Sequence, residues 1–325
     1  MSRIGITTTV PVEVIWAAGH EPCDLNNIFI SSEKPQELIN ESELRGLPRN
    51  ICAWIKGIYS VAKKAKVRKV IAVTQGDCSD TCAVLERMSL DGIEVIPFAF
   101  PFDRDERILR IEIGKLIKRL KTTEDKVREV KKYLDAIREN IYEIDRLTWQ
   151  ENKVTGWENH LWQVSSSDMN RDPEKFRAAS KLFIKKAKKR KPKKEKIRIA
   201  YIGVPPILDD IYQFIEQLEG RVVFNEVQRQ FTMPFKTNDI VEQYLKYTYP
   251  YDVFAKIKDI KREIRLRKIK GIIHYVQNFC SKKIEDDIYR AELKIPFLTL
   301  ECDLPGSLSA RDKTRIEVFM EMLKQ

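Results

Sequence analysis

Glycine is scarce in this chain. Only 12 of 325 residues are glycine, and the closest pair is Gly46 and Gly57. A Walker A phosphate loop needs two glycines five apart, and the Rossmann fingerprint needs them two and three apart. Both are excluded, so if the protein draws on ATP a different chain binds it. No Cys-x-x-Cys occurs either, which disfavours zinc ribbons, thioredoxin-like sites and ferredoxin-type runs. Long apolar stretches are also missing. Val95 to Phe100 is representative, far below the ~20 residues that cross a bilayer. The start, MSRIGITTTV, lacks a basic region leading into an apolar one. A cytoplasmic protein without a membrane segment is therefore expected, and in a reducing cytosol structural disulfides are disfavoured.

What is present describes a globular chain. Hydrophobic residues make up 43% and charged residues 33%, with a mean hydropathy of −0.40. The length suggests two domains at ~150 residues each. Lysine and arginine number 59 against 48 acids, a net charge of +11. That balance permits an acidic partner or nucleic acid without showing either. Much of the excess lies in Lys185 to Lys196, KKAKKRKPKKEK. A solvated interdomain segment explains such a run without any ligand, so nucleic acid is disfavoured as a partner.

Periodicity sorts the chain into two α/β stretches around a helical one. Residues 11–19 and 50–66 read as helices. A strand at Lys69 to Thr74, a turn at Gln75 to Cys78, a helix from Ser79 to Met88 and a strand from Glu94 to Phe100 follow. Residues 104 to about 190 read as amphipathic helices, with apolar residues at helical spacing. The basic run, broken by Pro192, is the expected boundary, giving domains 1–195 and 196–325. Strands are then expected at Ile197 to Val204, Arg221 to Val227, Gly271 to Tyr275 and Pro296 to Leu300, with helices at Ile207 to Leu218 and Ala310 to Leu323. Strands alternating with helices indicate parallel sheets.

The six cysteines are Cys23, Cys52, Cys78, Cys82, Cys280 and Cys302. Three of them, Cys78, Cys280 and Cys302, fall at or just past the carboxyl end of an expected strand, the edge where open α/β sheets build their sites. Cys82 follows Cys78 by one helical turn. Soft thiolates gathered from both halves suit an iron–sulfur cluster. Buried apolar cysteines are the competing reading for each one taken alone.

Four segments carry a resemblance. VPVEVIWAAGHEP (Val10 to Pro22), TQGDCSDTC (Thr74 to Cys82), HYVQNFC (His274 to Cys280) and LTLECDLPGSLSARDKTRIEVFMEML (Leu298 to Leu323) are similar, in order, to motifs of the 2-hydroxyacyl-CoA dehydratase superfamily. That superfamily includes the 2-hydroxyglutaryl-CoA dehydratase D-component, benzoyl-CoA reductase subunits and double-cubane cluster proteins. The resemblance implies two flavodoxin-like domains with a helical segment between them and a metal cluster in the interdomain cleft. It implies a dimeric ATP-dependent activator, carrying its own 4Fe–4S cluster, as electron donor. By motif position it assigns Cys52, Cys78 and Cys280 as ligands of a 4Fe–4S cluster.

Cys23, Cys82 and Cys302 go beyond that pattern; Cys78, Cys82, Cys280 and Cys302 lie within those segments, Cys23 directly follows the first, and Cys52 lies in the similar segment RNICAWIKG. The chain thus most resembles the double-cubane branch, where six thiolates hold an 8Fe–9S cluster. On that reading it is an anaerobic oxidoreductase and a homodimer, reducing a small molecule. The alternative is a lyase, a 4Fe–4S subunit eliminating water from a 2-hydroxyacyl-CoA through a ketyl radical. His274, Tyr275, Glu301 and Asp303 are candidates for hydrogen bonds around the ligands.

Overall fold

The computed structural model describes residues 2–324. It holds two four-stranded parallel sheets. The strands are β1 (Arg3–Ile6), β2 (Glu21–Asp24), β3 (Lys69–Gln75), β4 (Glu94–Ala99), β5 (Ile197–Gly203), β6 (Gly220–Asn225), β7 (Gly271–Gln277) and β8 (Phe297–Cys302). The first sheet runs β2-β1-β3-β4 and the second β6-β5-β7-β8. Both therefore have the same doubly wound order, second-first-third-fourth. The α/β class and the helices between the two sheets match expectation: Glu106–Arg119, Glu124–Trp149, Gly156–Ser165 and Pro173–Lys188 separate β4 from β5.

The strands are parallel for a physical reason. A sheet covered by helices on both faces must be apolar on both, so its strands lose the usual alternation. Every residue of β7 (GIIHYVQ) and of β6 (GRVVFN) is buried. β3 buries Val70 to Val73 without interruption. In-register pairs such as Ile71 with Ile96 and Ile273 with Leu298 fill the layers.

Two compact units result. The first comprises Met1–Glu139, Ser165–Phe176 and Met233–Asp252; the second comprises Asn140–Val164, Arg177–Thr232 and Val253–Gln325.

Two expectations need correction. The strand expected at Arg221 to Val227 ends at Asn225, and Glu226–Phe231 is a short helix. The helix expected from Ile207 begins at Ile211, because Leu208 bridges Gly306 and the Asp209 N–H donates to the Gly306 carbonyl at 3.0 Å, holding that stretch extended first. Cys302, expected at or just past the carboxyl end of the last strand, is its final residue.

Candidate functional site

A doubly wound sheet reverses its order between its first and third strands, and the loops at their carboxyl ends diverge there. After β3 that loop is Gly76-Asp77-Cys78; after β7 it is Asn278-Phe279-Cys280. Cys78 and Cys280 occupy equivalent places in the two sheets.

Both are also helix N-caps, as is Cys52. Cys52 precedes Ala53–Lys64, Cys78 precedes Ser79–Leu90, and Cys280 precedes the 3₁₀ turn Ser281–Ile284. None of the three forms a side-chain capping bond. A helix N-terminus carries positive partial charge, which favours an anionic sulfur beside it. The rest of the Cys78 loop is fixed from within. Its N–H donates to Asp77 Oδ1 at 2.8 Å, and the Thr81 hydroxyl donates to Asp77 Oδ2 at 3.2 Å. The Cys78 sulfur lies 3.3 Å from that hydroxyl. Burial, followed by the Asp77 charge, raises the thiol against the helix. Cys82, in the first turn, donates to the Thr74 carbonyl at 3.5 Å.

Gly76 makes this loop possible. Its φ is +103°, and a Cβ there would lie 2.8 Å from Pro250 Cβ and 2.9 Å from the Pro250 carbonyl. Only glycine accepts both that backbone and that approach.

Cys23 and Cys302 are set differently. Cys23 lies inside β2 opposite Gly5 and is fully buried. Burial above all, then Asp168, pushes its thiol up to about 11. The acids beside it form their own cluster: the Asp24 N–H donates to Asp168 Oδ2 at 2.9 Å, and the Ser167 hydroxyl donates to Asp24 Oδ2 at 2.6 Å. Burial, with Asp24 next, lifts Asp168 to about 7. At Cys302, burial and then Asp312 push the thiol up to about 12.

All six cysteines are free of disulfides, so six sulfur donors are available. The three N-cap cysteines fit a group that wants thiolates. Cys78, Cys23 and Cys302 would each have to surrender a proton held by burial and an acidic neighbour, work that a bound metal performs on its ligands. Within each unit, among the described residues, no three His, Cys, Asp or Glu side chains are gathered around one metal position.

The four hydrogen-bonding candidates divide. His274 is buried in β7, with Nδ1 2.7 Å from Asp286 Oδ1. Asp286 also accepts from Thr299 at 2.6 Å and Arg290 at 2.7 Å, and these donors, led by His274, hold its carboxyl far below the usual range despite burial. Tyr275 is buried, and its hydroxyl is 2.8 Å from the Gln277 amide. With that amide turned to accept from Tyr275, Gln277 donates to the carbonyls of Cys302 at 3.3 Å and Asp303 at 3.1 Å. Glu301 pairs with Lys283 at 2.7 Å across the mouth of the Cys280 loop. Asp303 Oδ1 is buried and has no hydrogen-bond partner among the described residues.

Sequence reasoning missed Gln277, Asp286 and the Asp24–Asp168 pair. Gln277 lies within HYVQNFC, three residues before Cys280, and that proximity was its one visible signal. The others come together only through folding.

No curated protein matches the chain. The family model of the 2-hydroxyglutaryl-CoA dehydratase D-component does, over residues 7–323, and this chain belongs to that family.

Proposed function

We propose that the chain is an iron–sulfur protein that takes low-potential electrons from a separate ATP-hydrolysing reductase, with Cys52, Cys78 and Cys280 as its principal ligands. One observation carries this reading. Three cysteines remote in sequence share one device, a helix N-cap with its side chain not used for capping, in a chain of the D-component family. When bound, such a centre supplies one-electron chemistry and an iron that can act as a Lewis acid. The chain's own groups do the rest. Asp77 fixes the Cys78 loop through the N–H of Cys78, Gln277 ties Tyr275 to the backbone at Cys302, and Asp286 orients the His274 ring.

Two ligand sets follow. In the first, Cys23, Cys82 and Cys302 join the other three around an 8Fe–9S double cubane that reduces a small molecule, in a homodimer. In the second, three thiolates hold one 4Fe–4S cluster, and the reaction is removal of water from a 2-hydroxyacyl-CoA.

Anaerobic purification with iron and sulfide analysis tests both. About eight irons per chain support the double cubane and about four the single cluster. Serine at Cys52, Cys78 or Cys280 should abolish iron retention under either reading. Serine at Cys23, Cys82 and Cys302 should lower it only under the first. Iron-free protein from an anaerobic preparation would overturn the proposal.

A further inference from the structure

The basic run has no part in that function, and the second unit shows how its charges are spent. Four of its cations are tied to carboxylates: Lys188 to Glu143 at 2.7 Å, Arg190 to Glu158 at 2.8 Å, Lys193 to Glu216 at 3.5 Å and Lys196 to Glu219 at 2.7 Å. Lys185, Lys186 and Lys189 are exposed and have no ion-pair partner among the described residues, and neither does Lys181 one turn earlier.

Helical geometry places these four together. Ser180, Phe183, Ile184 and Ala187 recur at the helix period and turn inward; Ser180 and Ala187 are fully buried. Lys181, Leu182, Lys185, Lys186 and Lys189 fall on the opposite side of the Pro173–Lys188 helix and its last turn. Leu182 sits among them and is 53% exposed. Like charges three and four residues apart repel one another along a helix, although their place near its C-terminus offsets part of this. The face is thus an apolar spot ringed by uncompensated ammonium groups.

We infer that this face, centred on Leu182 and ringed by Lys181, Lys185, Lys186 and Lys189, docks a partner protein whose surface presents carboxylates around an apolar residue. Charge complementarity selects an acidic partner, and protein interfaces place apolar contact at the centre with charge at the rim. A nucleic acid fits less well. The face offers no aromatic ring for base stacking, and its central leucine has nothing to do against a phosphate backbone. The one arginine of the run, Arg190, is already committed to Glu158 and lies over the Phe183 ring, 5.3 Å from its centre.

The test is fluorescence anisotropy with two labelled probes on the full-length protein. One is a sixteen-residue peptide with a leucine flanked by glutamates; the other is an oligouridine of equal charge. The peptide should bind in a salt-dependent manner and more tightly than the oligouridine. Reversing Lys181, Lys185 and Lys189 to Glu should weaken peptide binding roughly tenfold or more. Leu182→Ser should weaken it about threefold while leaving oligouridine unaffected. Reversing Lys118, Lys126 and Lys132, three exposed lysines of the first unit, changes net charge equally and should have little effect. Equal loss in that control would assign binding to the overall field and overturn the inference. So would peptide binding that ignores Leu182, tighter binding of oligouridine, or self-association of the protein through this face in light scattering.

Discussion

Glu226 is a buried carboxyl with one oxygen unbonded, and that makes stability depend on pH. It is 1% exposed; among the described residues Oε1 has no hydrogen-bond partner, and Oε2 accepts from the Gly203 N–H at 3.4 Å. Burial, the largest influence, lifts it to about 7 even with Lys256 nearby. The folded state therefore keeps its proton after the unfolded chain has lost it. The resulting stabilisation is complete below the ordinary glutamate range and is lost as pH rises towards 7. Glu226→Gln removes this dependence. Its urea-unfolding stability should gain on the wild type as pH goes from 4.5 to 8, by up to on the order of 3 kcal/mol. A constant difference across that range would show that Glu226 ionises normally in the fold. The neighbouring Gly203 has a more direct constraint. It has φ +88°, and a Cβ would lie 2.2 Å from the Tyr275 carbonyl. Gly203→Ala should cost about 2 kcal/mol or more in the same measurement, at every pH.

Among the elements, Glu13 shows how one side chain can fasten three helices of the first unit. It sits in Val12–Ala17, fully buried. It accepts from Arg138 at 2.8 Å on Glu124–Trp149, and from Gln243 at 2.7 Å and Tyr244 at 2.9 Å on Ile240–Lys246. Burial works to raise it, but Arg138 and these donors win, and the carboxyl lies below its usual value. Glu13→Ala would take from Arg138 its buried carboxylate partner and leave it the half-exposed Asp135 at 2.8 Å, and breaking a buried pair from one side costs about 3–5 kcal/mol. Thermal unfolding followed by circular dichroism checks it; a loss below ~1 kcal/mol would mean that water replaces the carboxylate. The same scale shows what sequence can reveal. β3 to β8 were visible because apolar, largely β-branched runs a few residues long, bounded by Gly or Pro on at least one side, have few other readings, although β6 stops two residues short of its expected end. β1 and β2 were not. RIGI has only four residues, and EPCD carries a proline and two acids. Its place at the sheet edge makes Pro22 tolerable, but that edge exists only after folding. The cysteines were partly legible. Positions at or just past strand ends were readable at Cys78, Cys280 and Cys302. The shared N-cap geometry that adds Cys52 depends on backbone angles that composition does not reveal.

For the whole molecule, the matching strand orders show that one βα pattern was used twice, yet the units are not consecutive in sequence. Met233–Asp252 belongs to the first unit although it follows β5 and β6. That segment supplies more than coverage. Gln243 and Tyr244 bond Glu13, Pro250 backs Gly76 below the Cys78 loop, and Tyr251 packs on Phe100 with ring centres 5.8 Å apart while Arg104 lies 4.5 Å above it. A fragment ending at residue 195, the boundary suggested by the basic run, lacks all of these. It would leave Glu13 with Arg138 alone and the Cys78 loop without its backing. Such a fragment should show helical far-ultraviolet dichroism but little near-ultraviolet signal, the mark of lost tertiary packing. Cutting the same place while keeping both pieces should have the opposite result. Lys191 to Lys194 are exposed and outside regular structure, where proteolysis concentrates. A chain nicked there retains Met233–Asp252, so its two fragments should copurify and keep the near-ultraviolet spectrum. A well-packed 1–195 fragment would mean that the first unit closes its core without the late segment, and that Glu13 and Gly76 do not depend on it.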